Sequence, residues 1–211
     1  MDVADAHPTG EEVRAVGGRW LGVKADLTVP AEVSSLVQQI EVEHGRLDIL
    51  VNNAAVAPLG DIDGHSFELW QNVMAVNLSA PFLVISTVLP LMKRNSWGRI
   101  VNVGSSSVAV PTAGQTAYKA SKMGLIGLTR GVAADVAEHG IRVNVISPPF
   151  METPLLPDRG DTYTQRIVGR QAIKRLGTPL DAVGLVAFLT SDAAEFITGQ
   201  TLFADGGLAF T

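Results

Sequence analysis

Short, continuously apolar runs alternate with longer amphipathic stretches along almost the whole chain. The apolar runs have the length and composition of strands that are covered on both faces, and the longer stretches have helical spacing. This alternation is typical of βαβ units, so the sequence predicts one α/β domain over residues 1–211, built on a parallel sheet. Five strands are predicted, at residues 20–25, 47–52, 99–104, 141–147 and 201–204.

Helices are predicted between these strands, with boundaries set by proline and glycine. Pro30 suits a first helical turn and Gly45 a left-handed C-cap, so a helix is expected at residues 30–44. The next is expected at residues 66–94, where Pro81 should bend or divide it. Further helices are expected at residues 116–138 and 179–191. The proline-rich stretch 147–179 predicts a long loop with one helix near residues 163–171, and such loops commonly cover a binding site.

Composition narrows the classes of function. The formal net charge is -5 and no basic cluster exceeds Lys93-Arg94, so nucleic acid is not expected as a partner. The chain has no cysteine and only four scattered histidines, so no metal site is expected. No apolar run approaches the roughly 20 residues of a membrane span, and the N-terminus lacks the layout of a signal peptide. We therefore expect a cytoplasmic protein that does not bind a membrane.

Four polar residues form the candidate chemistry. Tyr118 and Lys122 are four residues apart in a helical stretch and therefore share a face. An adjacent ammonium lowers the pKa of a phenol, about 10 in isolation, by stabilising the phenolate. Ser105 follows the strand at 99–104, at the edge where open α/β sheets bind ligands. Asn77 lies inside a helix, where an amide can organise a backbone irregularity and a water. Each alone is more commonly structural, but together they predict an active site.

Five short segments in a fixed order carry a resemblance to a known family. They are Asn52-Asn53-Ala54-Ala55, Val76-Asn77-Leu78, Gly104-Ser105, Tyr118-Lys119-Ala120-Ser121-Lys122, and Ile197-Thr198-Gly199-Gln200-Thr201-Leu202 with Asp205-Gly206-Gly207. Over essentially its entire length the chain resembles the classical short-chain dehydrogenase/reductases, nearest to bacterial β-ketoacyl carrier-protein reductases and secondary-alcohol dehydrogenases. The resemblance implies a Rossmann-like doubly wound sheet and hydride transfer between NAD or NADP and a secondary alcohol or ketone.

The resemblance also implies roles for individual residues. Tyr118 would be the general acid/base, Ser105 would polarise the substrate oxygen, and Lys122 would hold the nicotinamide ribose while lowering the pKa of Tyr118. Asn77 would anchor a water that links Lys122 to solvent. The positions that match cofactor-binding residues of the family are Asp26, Leu27, Asn53, Ala54, Tyr118, Lys122, Pro148, Met151 and Thr153.

One position departs from the family pattern in the loop after the strand at 141–147. The family has Pro-Gly there, whereas this chain has Pro148-Pro149, which removes one backbone N–H. The apolar side chains of this loop predict a hydrophobic or cyclic substrate, although they would equally serve to seal the loop against the core. The residues expected to contact the substrate are Ser107, Phe150, Leu155 and Leu156.

The glycine-rich Gly-x-x-x-Gly-x-Gly loop of the family does not occur in the sequence. We therefore expect the fold to lack the first two strands of the family, and roughly 30–40 further residues to precede Met1 in the functional polypeptide. If residues 1–211 are the whole protein, the strand at 20–25 must pair elsewhere or directly with the strand at 47–52. Dinucleotide affinity should then be severely reduced.

The resemblance also leaves alternative functions to consider and implies a cofactor and an oligomeric state. A non-catalytic nucleotide-binding or scaffold relative is the main alternative, because the glycine loop is missing. An epimerase or dehydratase would need a C-terminal substrate domain, and a halohydrin lyase would carry Arg in place of Lys122; neither is expected. NAD is preferred over NADP, since Asp2 or Asp5 could bind the adenosine ribose and no arginine lies nearby. A homotetramer or homodimer is expected, with the helix at 116–138 and the last strand at subunit faces.

Overall fold

The chain folds around one parallel sheet with helices on both faces. The computed structural model describes residues 7–110, 112–151 and 160–210. The strands within these ranges are β1 (Ile49–Asn52), β2 (Gly98–Val103), β3 (Ile141–Ser147) and β4 (Thr201–Phe203), in the order β1-β2-β3-β4. The α-helices are α1 (His7–Ala15), α2 (Pro30–His44), α3 (Phe67–Met74), α4 (Ala80–Arg94), α5 (Thr116–Val136), α6 (Asp161–Arg170) and α7 (Pro179–Leu189).

All pairings in the sheet are parallel, so the carboxyl ends of the strands lie at one edge. Asn52 of β1 stands opposite Asn102 of β2, and Val103 of β2 stands opposite Ile146 of β3. Alternate strand residues pack on opposite faces: Ile100 contributes to the core beneath α2, α4 and α5, and Val101 to the core beneath α7. This confirms the doubly wound, Rossmann-like α/β class.

Two helices end at a glycine in the left-handed conformation. Helix α2 spans Pro30–His44, and Gly45 closes it in the left-handed conformation with φ 70°. Helix α5 is followed by a single 3-10 turn and by Gly140, also left-handed at φ 71°. A Cβ atom on Gly140 would clash with the carbonyl oxygen of Ser96, so only glycine fits this turn.

The predicted strand at residues 20–25 is wrong. Residues 18–26 belong to no strand, and within the described residues β1 pairs with β2 alone. The expected alternative, direct pairing with residues 47–52, is therefore not observed either. Leu21 is 42% exposed, and Trp20 packs against Gly10 of α1, a helix that the sequence did not predict. A strand exists only where another strand accepts its backbone hydrogen bonds, and an apolar run cannot report whether such a partner is present.

The long helix predicted at 66–94 is interrupted, but not at Pro81. Residues Ala75–Ser79 form a π-helical turn, and Pro81 lies in the first turn of α4, where its missing N–H is tolerated. Helix α3, the π-helical turn and α4 follow one another without a break and form a helical run of 28 residues, Phe67–Arg94. By length and composition this run is apolar enough to cross a membrane, contrary to the expectation from sequence. Its side chains Ile85 and Val88 are 1% exposed and pack in the core, as expected of a core helix.

Candidate active site

A cavity of about 1010 Å³ lies at the carboxyl edge of the sheet, between the loops that follow β1, β2 and β3 and the start of α5. Its size is at the upper end of the range for small-molecule sites. Nine of the residues predicted from sequence line it: Asn53, Ala54, Ser105, Ser107, Tyr118, Lys122, Pro148, Phe150 and Met151. The structure thus brings together residues that are up to 98 positions apart in the chain, from Asn53 to Met151.

Tyr118 and Lys122 occupy the same face of α5, as their spacing predicts. Tyr118 is 7% exposed and Lys122 is 2% exposed. The Nζ atom of Lys122 lies 5.7 Å from the centre of the Tyr118 ring and donates a hydrogen bond of 2.7 Å to the carbonyl oxygen of Val103, at the end of β2. An ammonium has three N–H donors, so Lys122 can still offer hydrogen bonds to a bound molecule.

Burial sets the protonation of both groups. Burial raises the pKa of Tyr118, and a hydrogen bond with Ser105 opposes this rise without cancelling it. The sequence predicted the opposite direction, from the field of Lys122; in this structure desolvation outweighs the effect of neighbouring groups. Burial also lowers the pKa of Lys122 to about 8. Near neutral pH the site therefore holds a neutral phenol beside an ammonium that is close to its titration.

Ser105 is placed by the turn that follows β2. Its Oγ accepts a hydrogen bond of 3.2 Å from the backbone N–H of Ser107 and donates one of 2.9 Å to the Ser107 hydroxyl. The next residue ties the turn to the neighbouring loop, because the Ser106 N–H donates to the Pro148 carbonyl at 3.0 Å. Gly104 permits this close approach, since a Cβ atom there would lie 2.7 Å from a methyl carbon of Val145.

Asn77 lies in the π-helical turn and is fully buried. Its Oδ1 accepts from the N–H of Val56 at 2.8 Å, and its Nδ2 donates to the carbonyl of Val56 at 2.9 Å and to the Ser121 hydroxyl at 3.1 Å. The expected backbone irregularity is therefore observed. Asn77 thus connects the loop after β1 to Ser121 of α5, the residue before Lys122. Its link to a water stays a prediction.

Several predicted residues are not brought into the cavity. Asp26 instead accepts two hydrogen bonds from Thr28, through its N–H at 2.9 Å and its hydroxyl at 2.7 Å, which lower the pKa of Asp26. Leu27 packs against the core. Neither lines the cavity. Five other candidates lie outside the described residues: Asp2, Asp5, Thr153, Leu155 and Leu156.

The loop after β3 forms one wall. Phe150 meets Tyr163 of α6 edge-on, with ring centres 5.3 Å apart, and Met151 forms an isolated parallel bridge with Gly177. Pro149 is buried, and Gly177 leaves room for it, since a Cβ on Gly177 would lie 2.4 Å from the Pro149 ring. The missing side chain of Gly177 thus allows the Pro149 ring to pack at this wall.

Sequence reasoning missed polar residues that hold the site in place. Asn102 is fully buried on β2, accepts from Asn52 Nδ2 at 2.8 Å and donates to the Thr129 hydroxyl of α5 at 2.8 Å. Gln115 and Thr112, just before Tyr118, also line the cavity. The sequence did contain a signal for Asn102: it is a polar residue within a strand whose neighbours are apolar core residues. Among the described residues, no group of three or more His, Cys, Asp or Glu side chains could hold a metal ion.

Comparisons with known proteins agree with this fold. A family model described as Enoyl-(Acyl carrier protein) reductase matches residues 1–209. The chain is 36% identical over 193 residues to a 3-oxoacyl-[acyl-carrier-protein] reductase of Salmonella typhimurium, covering 92% of this chain and 79% of that protein. It is 37% identical over 211 residues to a D-beta-hydroxybutyrate dehydrogenase of Rhizobium meliloti, covering 94% of this chain and 82% of that one.

A solved structure is similar over nearly the whole chain. It is a gluconate 5-dehydrogenase from Burkholderia cenocepacia J2315 in complex with NADP and tartrate, with a TM-score of 0.91 and 30% identity, covering 95% of this chain and 80% of that one. The chain belongs to the short-chain dehydrogenase/reductase family and is an NAD(P)-type oxidoreductase by its relatives. The expected preference for NAD is not supported, since this solved relative holds NADP.

Proposed function

We propose that this chain interconverts a secondary alcohol and a ketone, with Ser105, Tyr118 and Lys122 acting on the substrate and cofactor. The observation that carries the proposal is the buried Tyr118 phenol, one helical turn from the Lys122 ammonium, with Ser105 lining the same large cavity. A hydroxyl pair with an adjacent cation, aimed into a cavity, suits a reaction in which a carbonyl oxygen gains a proton as its carbon gains a hydride.

The described residues fit a nicotinamide cofactor at one end of the cavity. Lys122 offers free N–H donors of the kind that bind ribose hydroxyls, and Asn53 and Ala54 line the wall beside it. When bound, NAD or NADP supplies or accepts the hydride. Pro148 and Pro149 have no backbone N–H, so hydrogen-bond donation from this loop to the cofactor would come from Phe150 and Met151.

The steps assigned to the protein are proton transfer and orientation. In reduction, Ser105 donates a hydrogen bond to the substrate carbonyl, and the Tyr118 hydroxyl gives its proton to the same oxygen as the carbon becomes tetrahedral. Lys122 stabilises the phenolate that remains until it is reprotonated. The raised pKa of Tyr118 keeps the phenol protonated near neutrality, as a proton donor requires. In oxidation the same groups act in reverse.

The apolar wall formed by Phe150, Tyr163 and Ile167 supports a substrate with a hydrophobic or cyclic body. A non-catalytic scaffold is not favoured, because such a protein would not need a buried lysine beside a buried tyrosine, an arrangement that costs folding stability. Cytoplasmic location stays a prediction.

The proposal is tested by following the near-ultraviolet absorbance of NADH and NADPH with a panel of linear and cyclic ketones. We expect cofactor oxidation that depends on both the ketone and the enzyme. The absence of turnover with every ketone and both cofactors, at cofactor concentrations shown to saturate the protein, would overturn the proposal.

A further inference from the structure

Ser107 is a polar residue of the cavity wall to which the reaction above gives no task. Its hydroxyl accepts a hydrogen bond of 2.9 Å from the Ser105 hydroxyl, and its backbone N–H donates one of 3.2 Å to the Ser105 Oγ. Both residues are partly buried, and both line the cavity. Ser107 therefore holds the side chain of Ser105 through two separate hydrogen bonds, at the point where the substrate oxygen is expected to bind.

The turn that carries this pair of hydroxyls is itself held in place. Ser105 is the N-cap residue of the 3-10 turn Ser106–Val108, and its carbonyl oxygen accepts from the Val108 N–H at 3.3 Å. The Ser106 N–H is bound to the Pro148 carbonyl oxygen at 3.0 Å, which fastens the turn to the loop after β3. Because the backbone has these partners, we expect the two hydroxyls to stay within hydrogen-bond distance of each other when a molecule enters the cavity.

A serine hydroxyl has one proton, and the proton of Ser105 has two acceptors to choose between. In the structure it is donated to Ser107, whereas the proposed reaction needs it at the substrate carbonyl. Ser107 has a hydroxyl proton of its own, and hydroxyl groups rotate to suit their partners. When Ser105 turns its O–H towards the substrate, Ser107 can donate to the Ser105 oxygen instead, so the pair stays hydrogen-bonded in the reverse direction.

We propose that Ser107 is a positioning residue that acts on the reaction through Ser105: its hydroxyl donates to Ser105 while Ser105 donates to the substrate carbonyl. Hydrogen bonds in such a chain polarise one another, which makes Ser105 a stronger donor to the oxygen on which negative charge develops. Both protons stay on their own serines. The inference rests on the proposed ketone reduction, and it replaces the direct substrate contact that the sequence predicted for Ser107.

A double-mutant cycle of Ser105→Ala and Ser107→Ala tests this, with kcat, KM and the cofactor Kd measured for all four proteins. In the wild-type background we expect Ser107→Ala to lower kcat by about 3- to 12-fold, the contribution of one neutral hydrogen bond, with little change in KM or in the cofactor Kd. In the Ser105→Ala background the same change should alter kcat by less than about 1.5-fold, because the residue through which Ser107 acts is no longer present.

Two further variants separate this role from a structural one. Ser107→Thr keeps the hydroxyl and should retain kcat within about twofold. Ser86→Ala removes a serine hydroxyl from an exposed position of α4, where it donates to the Leu83 carbonyl at 2.9 Å, and should leave kcat unchanged. Across a panel of linear and cyclic ketones, the loss in Ser107→Ala should be the same factor for each ketone, because Ser107 does not contact the part in which they differ.

An equal loss of kcat in both backgrounds would overturn the inference and assign Ser107 to direct contact with the substrate. An unchanged kcat in Ser107→Ala, or a loss that is just as large in Ser107→Thr, would overturn it as well. If Ser105→Ala has no measurable turnover, the ketone panel decides: a loss in Ser107→Ala that varies with the ketone contradicts the inference, and a uniform loss that Ser107→Thr does not share supports it.

If Ser107→Ala does not fold, as judged by thermal unfolding, Ser107→Cys takes its place, since a thiol is a weak hydrogen-bond donor. Failure of the wild-type chain to reduce any ketone, with saturating cofactor, would instead overturn the proposed function, and this inference with it.

Discussion

Lys122 connects the proposed reaction with folding stability. The residue is 2% exposed, and among the described residues its ammonium donates one hydrogen bond, to the Val103 carbonyl. The folded chain binds this proton less tightly than the unfolded chain, where the lysine pKa is near 10.5, because burial lowers the pKa to about 8. The contribution of Lys122 to the free energy of unfolding is therefore least favourable below about pH 8 and improves as the pH rises toward 10.5.

The same shift predicts the pH dependence of cofactor binding. Lys122 loses its charge as the pH rises through about 8, so the Kd for NADH or NADPH should increase over that range. Titration of cofactor fluorescence between about pH 7 and pH 9 measures this. Lys122→Met should bind more weakly at neutral pH and show no comparable pH dependence. A steeper dependence in the variant than in the wild type would contradict the role assigned to Lys122.

Asn77 is expected to matter for stability as well as for activity. Asn77→Ala leaves the N–H and carbonyl of the partly buried Val56 without their partners, which should cost about 1–3 kcal/mol in total. We expect a lower free energy of unfolding in denaturant titrations and a lower kcat. Asn95→Ala, at an exposed position after α4, is the control and should change stability by less than about 0.5 kcal/mol. Equal stability of the two variants would contradict a stabilising role for the hydrogen bonds between Asn77 and Val56.

At the scale of elements, the sequence predicted what local chemistry controls and missed what depends on distant partners. Pro30 and Gly45 bound α2 because each residue acts on its own backbone. Tyr118 and Lys122 share a face because the helix repeat is local. The run at 20–25 has a strand-like composition, but a strand needs a second strand, which no local pattern records. The π-helical turn at Ala75–Ser79 depends on the contacts of Asn77 with a distant loop, so Pro81 was the wrong signal.

The contact of Gly177 with Pro149 gives a test of how the loop after β3 is held. Gly177→Ala places a methyl group 2.4 Å from the Pro149 ring and forces the segment lining the cavity to move. We expect a loss of about 1–3 kcal/mol in denaturant titrations and a raised KM for the ketone. Gly184→Ala in α7 is the matched control: nothing lies within 4 Å of its Cβ position. It should gain about 0.4–1 kcal/mol with unchanged kinetics. Similar effects of both changes would contradict the packing argument.

At the scale of the whole molecule, association between copies stays a prediction: a homotetramer or homodimer, with α5 at a subunit face. Phe82 of α4 is 56% exposed and Met123 of α5 is 54% exposed. Single exposed apolar side chains are common on free surfaces, so these two positions show only where the expectation can be tested.

Phe82→Glu should weaken this association, because a carboxylate at a buried interface loses its hydration. Light scattering at micromolar concentration measures the mass of each species. Gln38→Glu, which adds the same charge at an exposed position of α2, is the control and should leave the mass unchanged. A wild-type chain that is already monomeric under these conditions would contradict the expectation.

We propose above that hydride passes between a nicotinamide cofactor and a carbonyl carbon at the Ser105–Tyr118–Lys122 site. Mass spectrometry of the alcohol formed from a ketone, with NADH or NADPH deuterated at both positions of nicotinamide C4, tests this transfer. We predict one deuterium on the carbinol carbon with the wild-type chain. Tyr118→Phe should give at least about 100-fold less product in the same time while binding the cofactor with a nearly unchanged Kd. Product without deuterium, or equal product from Tyr118→Phe, would contradict the account.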